Sequence, residues 1–178
     1  MIFTACAIQG AYIIDLQRRE DERGFFARQW CDTELAQRGL VGRIRQVNTG
    51  FSRSSGTVRG MHFQRPPHQE VKVVRCVRGA VFDVAVDLRS DSGTYGRWMS
   101  VELSAENGRS LYIPEGCAHG YQTLVDDTEL VYSTSQPYAA DSAGGVRFDD
   151  RAFGIVWPRR VTIISEADRN WPDFQPQR

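Results

Sequence analysis

Two of the three histidines of this chain, His62 and His68, share one short segment, TVRGMHFQRPPHQEVKVVRC (57–76), with a lysine set among valines, Lys72. The third, His119, follows a turn containing Pro114 and Gly116 in IPEGCAHGYQTL (113–124), and ELVYSTSQPY (129–138) carries Tyr132 and Tyr138. Near the end, SEAD (165–168) closes on Asp168. A histidine base, a tyrosine acid, a lysine cation and an orienting carboxylate are the parts needed to move protons beside a carbonyl. Taken singly, each has a plainer explanation: Lys72 as a surface lysine, His62 as a satisfied structural histidine, Tyr132 as a barrel aromatic, Asp168 as an exposed acid.

The elements that must position these side chains are strands. VKVVRCV (71–77) and AVFDVAVDL (80–88) flank Arg78–Gly79, and in the second Phe82, Val84, Val86 and Leu88 alternate with Val81, Asp83, Ala85 and Asp87. This predicts a hairpin with one apolar face. RWMSVELS, RSLYIP, TELVYSTS and RVTII (160–164) repeat the style at short intervals between Gly, Asn, Asp and Pro clusters. Such spacing suggests an all-β sandwich or barrel. On a strand through RGMHFQ, His62 and Gln64 share one face and Met61 and Phe63 the other. Lys72 then lies either on a solvated face or in the mouth of a cavity. Only DTELAQRG (32–39) reads as a helix, with Asp32 as N-cap and Gly39 as its stop.

At 178 residues the chain fits one domain, 1–178, with no linker, repeat or low-complexity stretch. The 22 basic and 22 acidic residues cancel, and no basic stripe follows a phosphate backbone, which argues against nucleic acid. Cys6, Cys31, Cys76 and Cys117 are scattered without a C-x-x-C pair, MIFTACAIQG lacks the pattern of a signal peptide, and no apolar run approaches a membrane span. A reduced, cytoplasmic protein is expected.

Seven segments in order, DERGFF (21–26), VRGMHFQ (58–64), Lys72 in its strand, IPEGCAHGY (113–121), Tyr132, GIVWP (154–158) and SEAD, resemble the motifs of the dTDP-4-dehydrorhamnose 3,5-epimerases. The resemblance spans nearly the whole chain. It implies a metal-free, cofactor-free, cupin-like jelly roll with a few short helices, a homodimer, and epimerisation at C3 and/or C5 of a nucleotide-linked 4-keto-6-deoxyhexose. It also implies roles. His62 is the base with Asp168 as its carboxylate, Tyr132 the proton donor on the opposite sugar face, and Lys72 the cation beside the C4 keto oxygen. His119 and Asp83 are inward-facing supports. Arg23, Phe26, Gln46, Asn48 and Arg59 line the sugar-nucleotide site, and Tyr138 stacks on the base. No Walker or G-x-G-x-x-G loop is present, so phosphate recognition falls to side chains.

The chain departs from the family pattern at Cys117, where Phe is common, at Met61, where Leu is usual, and in AADSAGG (139–145), which lacks a glutamate near position 143. The last departure leaves base and sugar preference open, including inversion of only C3 or only C5. A metal-dependent cupin is a competing reading, but its H-x-H pair is interrupted by Gln64. A catalytically silent sugar-nucleotide-binding jelly roll is another, and the presence of His62, Lys72 and Tyr132 weighs against it.

Overall fold

Alternating side chains along short strands, eleven of the thirteen described, build two antiparallel sheets in a computed structural model that describes residues 1–176. In chain order the elements are β1 (Ile2–Ala5), β2 (Tyr12–Asp15), β3 (Arg19–Asp21), β4 (Gly24–Phe26), α1 (Asp32–Ala36), β5 (Gln46–Ser52), β6 (Val58–Gln64), β7 (Lys72–Arg78) and β8 (Ala80–Asp87). They continue with β9 (Trp98–Ser104), β10 (Ser110–Ile113), β11 (Cys117–Thr123), β12 (Thr128–Thr134), a 3₁₀ turn (Ala140–Ser142), β13 (Ala143–Gly145) and α2 (Glu166–Arg169). One sheet runs β1-β2-β10-β7-β12-β5, the other β13-β6-β11-β8-β9, and β3-β4 form a separate hairpin. The expected all-β jelly roll with short helices is the observed architecture.

The expected hairpin of β7 and β8 is not formed. β7 pairs with β10 and β12 in one sheet, and β8 with β11 and β9 in the other, so Arg78–Gly79 is a corner between sheets. Nor does β8 have one apolar face. Val81 and Ala85 enter the core between the sheets with Val74, Cys76, Leu103 and Leu111. Val84 and Val86 join Met61, Ala118, Phe153 and Ile155 in a layer outside the second sheet. Alternation reports that a strand's faces differ; what covers each face depends on distant segments. RVTII likewise forms no strand. Thr57 and Ile163 make one parallel bridge, because farther along this edge of β6 the pairing position is occupied by β13 at Gln64, Phe63 and His62.

α1 is shorter than expected, and its N-cap is Cys31 rather than Asp32. Asp32 begins the helix itself, its carboxylate accepting from the Thr33 N–H at 2.7 Å, where the helix dipole favours negative charge. Gly39 does end the turn. At φ +70° it lets its own N–H reach Ala36 O and the Leu40 N–H reach Leu35 O, both within 3.0 Å, a Schellman closure. Leu35 then seals the far face of the six-stranded sheet with Ile14, Val71 and Tyr112.

Candidate active site

The inward faces of β5, β6, β7, β8, β11 and β12 change from apolar to polar toward one end of the sandwich. Register brings the polar residues together: Tyr132 of β12 stands opposite Asn48 of β5, Thr134 opposite Gln46 and Lys72, and His119 of β11 opposite His62 of β6. All of these but His119 border a cavity of about 660 Å³ lined by Gln46, Asn48, His62, Lys72, Tyr132, Tyr138 and Asp168 among others. Met61 and Phe63, on the other side of β6, pack into the outer apolar layer.

Asp168 reaches this cavity from the C-terminal region. Ser165 caps α2 by accepting the Asp168 N–H at 3.1 Å, which directs the carboxylate toward β6. Its Oδ1 lies 2.5 Å from His62 Nε2 and its Oδ2 accepts the Gly60 N–H at 3.2 Å. Burial pushes the Asp168 carboxyl up, but hydrogen bonds from His62, Gly60 and Ser165 outweigh it and hold the group below its ordinary value. An ionised Asp168 places the imidazole proton on Nε2 and leaves Nδ1 as the basic nitrogen.

Lys72 lies in the cavity mouth, the second of its two expected places, and is buried. Its Nζ is 3.1 Å from Glu70 Oε1 and donates to the His62 carbonyl at 3.1 Å, tying the two sheets together across the cavity. Burial pushes its pKa down, opposed by Glu70 and Asp83. For the Tyr132 phenol, burial pushes the pKa up, Arg59 pulls it back, and Glu70 adds to the rise. Behind the cavity, His119 Nε2 lies 2.9 Å from Asp83 Oδ1, while Asp83 Oδ2 is buried without a partner among the described residues.

Not every expected site residue converges. Arg59 does not line the cavity; its guanidinium bonds Ser52 Oγ and Phe51 O at 3.3 and 2.9 Å, within electrostatic reach of Tyr132. His119 stands behind the wall. Arg23 and Phe26 lie elsewhere, on the β3-β4 hairpin, where Phe26 is 74% exposed and Arg23 pairs with Asp21. Gln64, the residue that interrupts a metal-binding H-x-H pair, spends its amide on His68 O, Pro137 O and the Ala139 N–H. No cluster of three or more His, Cys, Asp or Glu suited to a metal ion occurs among the described residues.

A family model of the dTDP-4-dehydrorhamnose 3,5-epimerases matches residues 5–176. The chain belongs to this family. It is 44% identical over 179 aligned residues to the dTDP-4-dehydrorhamnose 3,5-epimerase of Sinorhizobium fredii, covering 98% of this chain and 90% of that protein. The crystal structure of the dTDP-4-dehydrorhamnose 3,5-epimerase from Elizabethkingia anophelis superposes with a TM-score of 0.95 at 38% identity, covering 98% of this chain and 96% of that one. The Bacillus anthracis dTDP-4-dehydrorhamnose 3,5-epimerase, solved with TDP and PPi bound, gives 0.93 at 36% identity, covering 97% and 99%. The jelly roll is thus the cupin-like fold of the epimerase family.

Among the residues lining this epimerase's cavity that the sequence did not single out are Glu70 and Trp171. Glu70 was findable: an acid two positions before Lys72 shares its face on an extended chain. Trp171 carried no local signal, because it follows a single helical turn and reaches the cavity only through the docking of α2.

Proposed function

We propose that this chain, acting as one domain over residues 1–178, epimerises dTDP-4-dehydro-6-deoxy-D-glucose at C3, C5 or both. Inversion at both carbons gives dTDP-4-dehydro-L-rhamnose. The C4 ketone acidifies the protons on its two neighbouring carbons. His62 Nδ1 removes such a proton, and Lys72 meets the charge that grows on the keto oxygen as the enolate forms. Tyr132 returns a proton from the other side, and release of the enolate charge into the re-formed carbonyl completes inversion.

The observation that carries this reading is the seating of His62 and Tyr132 in opposite sheets, on β6 and β12, facing one cavity with Lys72 tied between them. One group cannot take a proton from one face of a carbon and deliver another to the opposite face; two groups on facing sheets can. Gln46, Asn48 and Tyr138 line the rest of the cavity and, with Arg59, bind the nucleotide portion, while His119 and Asp83 support the interior wall. No metal or other cofactor takes part.

We further read the protein as a homodimer. Arg23 and Phe26 match family positions at the sugar-nucleotide site yet project from an exposed hairpin, so they serve the cavity of a second copy. Val47 and Phe51, exposed on edge strand β5, provide apolar surface for that copy to cover. The four unpaired cysteines fit a reducing cytoplasm.

The test is proton NMR of dTDP-4-dehydro-6-deoxy-D-glucose with the protein in deuterated water, following exchange at C3 and C5 separately. Wild type exchanges and inverts at one or both carbons. His62→Ala folds but loses exchange by about a hundredfold or more; exchange near the wild-type rate removes His62 from the role of base.

A further inference from the structure

β13 meets β6 with Gly145 opposite His62. Residues paired across antiparallel strands project from the same face, their Cβ atoms about 5 Å apart. Gly145 has no Cβ, and the space one would take is already filled: it would lie 2.2 Å from Cε2 and 2.4 Å from Nε1 of Trp171. The indole therefore stands in for the side chain that Gly145 lacks. That slot opens on the face of the sheet from which His62 projects, and Trp171 and His62 line the same cavity.

Trp171 also sits just past the turn that delivers Asp168. α2 is a single turn of four residues, too short to be stable by itself. Ser165 and Gly60 bond Asp168, and after the C-cap at Asn170 the indole on Gly145 is the next anchor. The indole N–H is buried with no acceptor among the described residues, so packing holds this ring in place.

We infer that Trp171 is a positioning residue for the base. Its ring, seated in the slot left by Gly145, pins α2 so that Asp168 stays on Nε2 of His62, and it covers one flank of that hydrogen bond against water. The inference rests on the assignment of His62 and Asp168 as the base pair.

The experiment compares wild type with Trp171→Ala, Trp171→Phe and Gly145→Ala, with folding checked by thermal melting. One readout needs no substrate: the low-field proton NMR signal of the imidazole N–H bound to a carboxylate, assigned by its loss in Asp168→Asn. The other is the split between kcat and KM for deuterium exchange into the 4-keto sugar nucleotide. Trp171→Ala loses the low-field signal to solvent exchange and falls about tenfold to a hundredfold in kcat, with a smaller change in KM. Trp171→Phe recovers most of both, because the N–H makes no bond among the described residues. Gly145→Ala, which keeps the tryptophan but closes its slot, reproduces the losses and carries the test alone if Trp171→Ala does not fold. Retention of the signal and of kcat in Trp171→Ala or Gly145→Ala overturns the inference. So does a Trp171→Phe variant as impaired as Trp171→Ala, which makes the N–H the working part. Because the NMR signal is read without substrate, its persistence in Trp171→Ala refutes the positioning role even if the activity belongs to a different sugar.

Discussion

Tyr132 shows how burial suits a single side chain to the donor step proposed for it. Burial and Glu70 push the phenol's pKa up and Arg59 only partly opposes them, so the group keeps its proton at neutral pH and is available as a donor. Tyr132→Phe retains the ring and removes that proton. The expected outcome is deuterium uptake into unreacted substrate through His62, with inverted product reduced by about a hundredfold to ten-thousandfold. Product analysis by NMR separates the two; inversion close to the wild-type rate assigns reprotonation to water or another group. Lys72 depends on a neighbour in the same way. Its ammonium is buried and paired with Glu70, whose side chain is also buried, and removing either partner alone leaves a charge without compensation.

At the scale of the element, β6 and β8 carry different kinds of anchor. In β6 the anchor is a close approach: Gly60 has φ +131°, and a Cβ there would meet Gly120 Cα at 2.5 Å. The same residue donates its N–H to Asp168, so strand packing and the site share one glycine. At the end of β8, fully buried Asp87 accepts from Arg89 Nε and Nη2, Ser92 Oγ and Thr94 Oγ1 at 2.6–2.8 Å and closes the loop that leads to β9. Burial raises this carboxyl, but the hydrogen bonds outweigh it and bring it down to about 2. A depressed folded-state pKa stabilises the fold above the unfolded carboxyl value of about 4, and the contribution disappears as pH falls through the folded value. Asp87→Asn is expected to cost on the order of 2 kcal/mol at neutral pH. In urea denaturation the gap from wild type narrows between about pH 4 and pH 2; a gap of constant size across that range shows that the carboxylate's charge is not its source.

At the scale of the whole molecule, the question is where the exposed β3-β4 hairpin does its work. If Arg23 serves the cavity of a second copy, His62→Ala and Arg23→Ala chains, each inactive alone, complement when mixed. In a mixed dimer the Arg23→Ala protomer keeps its own His62 and receives Arg23 from its partner. Random reassortment of equal amounts restores about a quarter of the wild-type sites, read as epimerase activity after denaturation and joint refolding. An inactive mixture places Arg23 at its own protomer's cavity, and elution as a monomer in size-exclusion chromatography removes the dimer.

The sequence by itself determined the reaction class and the class of fold. Motifs such as VRGMHFQ and SEAD keep their chemical groups within a few residues, and period-two alternation records that strands have unlike faces, so both are readable locally. Which strands become neighbours was decided only by the tertiary structure. The short link at Arg78–Gly79 serves a hairpin or a corner equally well, and the choice went to the corner because β8 has apolar groups on both faces and needs a covering layer on each. Likewise, no spacing in the chain states that Asp168 bonds His62 across 106 positions, that Trp171 fills the slot of Gly145, or that Arg23 stands outside the cavity its own chain encloses. Those facts follow from long-range packing of α2, β6 and β13, where apolar burial and hydrogen-bond satisfaction are settled between segments far apart in sequence.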